Sequence, residues 1–403
     1  MRGLGGSRSG EMRLTRFLRN DSVGVREMVE AAGRRTAACV SGRHVLAVQD
    51  TTSLRDDGGQ RSISAHPTLA IDAETGALLG LVDARLLVHE GGLKKQRNLR
   101  PFAEKESRRW LDGAEAAAGL RASGALQVTV ISDREGDIYE AFASKPAEVE
   151  LLVRASHDRV LADGARLFAR LAAEPEAGSF SVELPAAPGR PARTALFALR
   201  FCQAQIPRPH IRVGGSALPS SVVLSLVEAR EVDAPPGVAP ACWRLLTTHG
   251  VTNLAQARWV AGLYRHRWVI EELFRTLKSR GFDIERVNIA QGPFEKLAAA
   301  ALIAAVNVMQ LVRDRDGHAK RPLQDVFEPD EQTALEAVSA TLEGNTERQK
   351  NPHPKGSLAF AAWVCARLGG WTGYYGKPGP IVMLKGLHQF RAIQLGWSIA
   401  RNV

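Results

Sequence analysis

Apolar residues run almost unbroken from Val45 to Val48 and end in Gln49-Asp50, and the same pattern recurs from Val128 to Ile131 ahead of Ser132-Asp133. Short apolar runs rich in β-branched residues predict buried strands, each delivering an aspartate to the end of a sheet. Residues 69–88 hold two more runs, broken at Asp72-Ala73-Glu74-Thr75-Gly76, which predicts a hairpin. With the first strand they make three in antiparallel order. From residue 149 to about 248 the β patterns shorten and are separated by Pro and Gly, which predicts a β-rich insertion inside an α/β domain.

The period changes to helical in four places: residues 13–35, residues 253 to about 280 with Asn253 as N-cap, about 293–315, and a smaller region beyond 322. Within the second, LYRHRWVIEELFRTLK (263–278) has no Gly or Pro and reads as part of one long helix. At about 100° per residue, Tyr264, Arg267, Glu271 and Lys278 fall within roughly 60° of one another, and Glu272 points away. Leu263, Ile270, Leu273, Phe274 and Leu277 form an apolar stripe beside them. On spacing alone the plainer reading is an amphipathic helix whose charged face is solvated.

These patterns divide the chain into residues 1–40, a core of 41–148 with 249–320, the insertion 149–248, and a helical C-terminal region 321–403. Residues 297–312 are the one run that suggests a membrane span. They fall short of the roughly 20 residues a span needs and carry Asn307 and Gln310, so a buried helix and no membrane partner are expected.

Composition narrows the partners. A formal charge of +10 points to a polyanion, nucleic acid or acidic membrane. The four cysteines include no C-x-x-C pair, so free thiols in a reducing cytosol are expected. Basic residues concentrate at Lys94, Lys95, Arg97, Arg100, Lys105, Arg108 and Arg109, a segment that is either a solvated loop or a phosphate contact. Glu135 and Asp137 follow Asp133 where acidic residues commonly compensate a helix dipole.

Asp50 and Asp133 from neighbouring strand ends, with Glu271 from a helix laid against the sheet, can be joined into one site. Such hard oxygen ligands suit Mg²⁺ or Mn²⁺, and two ions roughly 3.5–4 Å apart serve in-line displacement at phosphorus. Arg267 and Lys278 on the same helix face would hold the phosphates of the scissile strand.

The motifs VLAVQDTTSL, PFAEKESRRW, VISDREGDIYE, WRLLTT, YRHRWVIEELFRTLK and LGGWTGYYGKPGP together resemble the DDE transposases of the insertion sequence four family, the group that includes the transposon-five transposase. The resemblance covers most of residues 13–403. Its most specific element is a Tyr, two residues, Arg, three residues, Glu, six residues, Lys pattern, met here by Tyr264, Arg267, Glu271 and Lys278. It overturns the solvated-face reading.

The resemblance implies a ribonuclease-H-like catalytic core in which Asp50, Asp133 and Glu271 bind two Mg²⁺ or Mn²⁺ ions. It implies that Tyr264, Arg267 and Lys278 grip the backbone at the transposon end, with Arg154 and Lys105 as further DNA contacts and His157 and Arg159 beside Arg154. Trp243 would stack on a base extruded near the cleavage site, or else is a core strand residue. Thr51 and Thr52 would orient Asp50 or simply continue the strand.

The implied activity is cut-and-paste transposition: cleavage at transposon ends, a hairpin intermediate, then strand transfer into target DNA by a homodimer, to which the C-terminal helices contribute. The expected location is the bacterial cytoplasm, at the nucleoid. Family members of full length carry a helical DNA-end-recognition domain before the first aspartate, whereas 49 residues precede Asp50, so residues 1–40 are expected to be its remnant. That shortening suggests an alternative, a non-catalytic regulator that dimerises with a full-length transposase.

Overall fold

The computed structural model describes residues 8–56, 61–90, 102–184, 191–209, 218–374 and 376–401. The chain forms two compact units, one of Met1–Arg43, Thr51–Gly91 and Val269–Val403, the other of His44–Asp50 and Gly92–Trp268. Lys94, Lys95, Arg97 and Arg100 of the expected basic segment lie outside the described residues.

In chain order the elements begin α1 (Arg8–Arg19), α2 (Val25–Ala37), β1 (His44–Gln49), β2 (Thr52–Asp56), β3 (Arg61–Asp72), β4 (Leu78–Glu90), α3 (Arg109–Ala122) and β5 (Gln127–Ser132). There follow α4 (Tyr139–Ser144), β6 (Glu150–Arg154), α5 (Leu167–Ala173), β7 (Gly178–Leu184), β8 (Arg193–Pro207), β9 (Ser221–Val232) and β10 (Cys242–Thr247). The chain ends in helices: α6 (Leu254–Tyr264), α7 (Trp268–Ser279), α8 (Gln291–Asp314), α9 (Glu331–Leu342), α10 (Leu358–Leu368) and α11 (Pro380–Arg401).

The unit that contains both aspartates is built on a mixed sheet in the order β1-β5-β6-β10-β9-β8-β7. β1, β5 and β6 run parallel, and the remaining pairings are antiparallel. Val45, Leu46, Ala47 and Val48 are all fully buried, as expected of a parallel strand covered on both faces. α3 lies on β1 and β5 and buries Trp110, Leu111, Ala114, Ala117 and Leu120.

Glu150–Arg154, the first short β run of the expected insertion, pairs in parallel with β5, Thr129 opposite Glu150. β10 then pairs with β6, so the strands of the expected insertion extend the same sheet. Asn253 caps α6, its side chain accepting from Gln256 N at 3.0 Å.

The expected single long helix is interrupted. A 3₁₀ turn over Arg265–Arg267 separates α6 from α7. In a 3₁₀ turn side chains three residues apart eclipse one another, which puts Tyr264 and Arg267 on one side.

In the other unit β2, β3 and β4 form antiparallel pairs, β2 being one strand more than the apolar pattern had suggested. The β3–β4 turn closes where expected. Asp72 accepts from the backbone N–H groups of Glu74 and Thr75 at 2.8 and 3.1 Å, pairs with Arg43, and is followed by Gly76 at φ +70°.

Within the segment expected as a domain remnant, α2 is packed on β4 and α8, burying Val29 and Thr36. The Thr36 hydroxyl is 2.6 Å from Leu81 O. α8 is long and apolar enough to cross a membrane by length and composition, but Ala298, Leu302, Ala305 and Met309 are buried within the unit. Val308, Leu335, Trp363 and Phe390 share a core formed by α8 to α11. Beyond Phe390, α11 exposes Ile393, Leu395, Trp397 and Ile399.

Candidate active site

β1 and β5 are matched in register through Val48 and Ile131. Asp50 and Asp133 stand two residues further along each strand, so the two aspartates leave the sheet side by side at the carboxyl ends of adjacent parallel strands. The strand end before Asp50 is anchored by Gln49, whose buried amide donates to Trp110 O at 3.0 Å.

After Asp133 the chain turns at once, Gly136 N donating to Asp133 O at 2.9 Å. Gly136 is required there because a Cβ would collide with Ser132. Asp137 does not serve a helix dipole. Its fully buried carboxylate accepts from Ser156 N and His157 N at 2.8 and 3.3 Å and pairs with Arg159, fastening the loop after β6 beside the site.

Cations and one phenol surround the two carboxylates. Arg267, with its side chain only 7% exposed, donates to Asp50 Oδ2 at 3.1 Å and comes within 3.9 Å of Asp133 Oδ2. Tyr264 donates its hydroxyl to Asp133 Oδ1 at 3.2 Å. Arg154 lies 3.9 Å from Asp133 and donates to Cys242 O at 3.1 Å. Burial, and then the charge of Asp133, push the Tyr264 phenol well above its usual pKa, so it remains a donor.

Five of the expected site residues are therefore gathered, with Trp243 next to Tyr264 at a ring separation of 6.0 Å. Trp243 is 6% exposed and stacked on Phe197 at 4.9 Å, so most of the indole is core. A cleft of about 670 Å³ opens beside it, lined by Arg134, Arg154, Phe168, Trp243, Arg244 and Trp268. Arg244, Phe168 and Trp268 were not singled out from the sequence, although Arg244 and Trp268 adjoin residues that were.

Lys105 caps a short 3₁₀ turn before α3, and its ammonium makes no ion pair with a described residue. Arg159 pairs with the Asp137 carboxylate. The Thr51 hydroxyl, expected to orient Asp50, is 2.9 Å from His66 Nδ1.

Glu271 and Lys278 are on α7, in the other unit. Lys278 pairs with Glu285 at 2.9 Å, and Glu272 with Arg313 of α8 at 3.2 Å. Among the described residues no group of three or more His, Cys, Asp or Glu side chains is gathered to hold a metal ion. The donor set at Asp50 and Asp133 nevertheless fits a divalent cation. It consists of hard carboxylate oxygens, 20% and 29% exposed, whose charge is met by arginines that an ion could displace.

A mixed α/β sheet flanked by helices, with aspartates paired at the ends of parallel strands, is consistent with a ribonuclease-H-like domain. The chain belongs to the transposase DDE domain family, whose profile matches residues 44–308. It is a transposase by family, and the family implies metal-dependent nuclease and transesterase activity.

Proposed function

We propose that this chain is a cut-and-paste DNA transposase of the insertion sequence four kind, which cleaves transposon ends and transfers the strands into target DNA. The observation that carries the reading is the register-matched pair Asp50 and Asp133, held together by Arg267. Asp50, Asp133 and Glu271 are the residues that would hold two Mg²⁺ or Mn²⁺ ions. Bound divalent ions supply Lewis acidity that activates the attacking hydroxyl and offsets charge on the departing 3′ oxygen.

The protein's own groups orient and bind. Arg267 and Tyr264 keep the two carboxylates in place before DNA arrives, the phenol as a permanent donor. Arg267, Arg154 and Lys278 meet the phosphates around the scissile bond, and Lys105 meets the backbone further off. Trp243 offers an apolar wall to an unpaired base. Two copies bring two transposon ends together, and the apolar residues exposed on α11 support a dimer built through the C-terminal helices. The site of action is bacterial nucleoid DNA in the cytoplasm.

The test is Mg²⁺-dependent cleavage of a duplex carrying the element's terminal repeat. Asp133→Asn keeps the size of the side chain but removes a charged ligand and turns one acceptor oxygen into a donor amide. It is expected to bind the duplex and not cut it. Cleavage retained by that variant would overturn the reading.

A further inference from the structure

Glu228 is 2% exposed in β9, yet it faces three arginines. In the ladder it stands opposite Arg200 of β8 on one side and Arg244 of β10 on the other. Its carboxylate lies 2.8 Å from Arg244 Nε, 3.5 Å from Arg230 Nε and 4.0 Å from Arg200 Nη1. Burial pushes the Glu228 pKa up, but hydrogen bonds from Arg244 and Arg230 outweigh it and hold the group below its usual value, ionised. Arg200 has a second partner in Glu176 at 3.0 Å, so Glu228 is chiefly shared between Arg230 and Arg244.

Arg244 is held on two sides. Its Nε is clipped to Glu228, and its guanidinium carbon lies over the Phe168 ring, 4.3 Å from the centroid. Nε is the only nitrogen of its side chain that hydrogen-bonds a described residue. Arg244 lines the cleft that also holds Arg134 and Arg154, and its two amino groups hydrogen-bond no described residue. A planar fork with its rotamer already fixed loses little entropy on gripping a phosphate, whose oxygens match its geometry.

We propose that Arg244 binds a backbone phosphate of the DNA strand lying in this cleft, and that buried Glu228 is the positioning residue that aims it. The inference rests on the transposase reading and adds a contact outside the carboxylate site. Being made to phosphate, the contact is indifferent to base sequence.

The experiment measures affinity of the full chain, without divalent ions, for a transposon-end duplex and for a random duplex of equal length over a series of salt concentrations. Arg244→Ala is expected to weaken both by roughly threefold to tenfold and to make the log–log salt slope shallower by about 0.9, one phosphate's worth. Arg244→Lys, a point charge without the fork, should recover the slope but only part of the affinity.

Glu228→Gln separates positioning from charge. If Glu228 were only a counter-charge, removing its negative charge would strengthen DNA binding. As a positioning residue its loss weakens binding, at a thermal midpoint close to that of the parent chain. Should Glu228→Gln fail to fold, the two Arg244 variants decide alone. Parental affinity and slope in Arg244→Ala overturn the inference, as does tighter binding by folded Glu228→Gln. If the parent chain neither binds nor cuts the transposon-end duplex, it is the transposase reading that fails; if it cuts, with binding independent of Arg244, only this inference does.

Discussion

Arg267 places its guanidinium 3.1 Å from the Asp50 carboxylate, on a side chain almost wholly out of solvent. The same guanidinium reaches within 3.9 Å of Asp133. One cation thus opposes the mutual repulsion of two carboxylates at neighbouring strand ends. Arg267→Ala should destabilise the metal-free protein by about 1.5–3 kcal/mol, the range for a hydrogen bond to a charged group. Urea denaturation measures the loss, and Mg²⁺ should restore part of it by binding the folded state alone.

Tyr264→Phe removes one hydroxyl and leaves the ring. Because that hydroxyl donates to Asp133, cleavage should fall about 10–100-fold, as when a partner of a metal ligand is removed. With its pKa raised, the phenol should contribute no ionisation to the pH–rate profile of the parent chain up to about pH 10.

Glu271 and Glu272 are adjacent but unequal. Glu272 is tied to Arg313, an exposed pair of the kind that contributes about 0–1 kcal/mol. Glu272→Gln should keep cleavage near the parental rate, whereas Glu271→Gln should abolish it in the same gel assay.

Two buried groups give stability opposite slopes with pH. Burial lowers the His249 pKa to about 4, against an opposing pull from Glu150. His249 therefore folds neutral. Its contribution is fully present above the unfolded pKa of about 6.5 and is lost as pH falls towards 4, a change of roughly 3 kcal/mol. Urea unfolding at several pH values should show this slope, and His249→Gln should flatten it.

Asp314 behaves in the reverse sense. It is 2% exposed, and burial raises its pKa to about 6, with Asp325 adding to the rise and Arg321 and His318 opposing it. Neither carboxylate oxygen hydrogen-bonds a described residue. Its neutral form is favoured, so its contribution is present below the unfolded pKa of about 3.9 and is lost as pH rises through 6. Asp314→Asn should stabilise the protein by about 1–3 kcal/mol at neutral pH and by little near pH 4, as read by the same unfolding series.

The sequence by itself determined the strand ends that carry Asp50 and Asp133, because a strand end is a local property. A continuous apolar run can only be a buried strand or a buried helix, and its length with a terminal Asp was enough to locate β1 and β5. The hairpin at Asp72–Gly76 and the cap at Asn253 were legible for the same reason, since turn and cap chemistry act over two to four residues.

What only the tertiary structure decided involves partners far apart in the chain. The pairing of Arg159 with Asp137 joins residues 22 apart in the chain. The break at Arg265–Arg267 was hidden because a 3₁₀ turn has nearly the propensities of the helix it interrupts. Glu228, Arg244 and Phe168 come together through strand register and helix packing, which no residue pattern along the chain states.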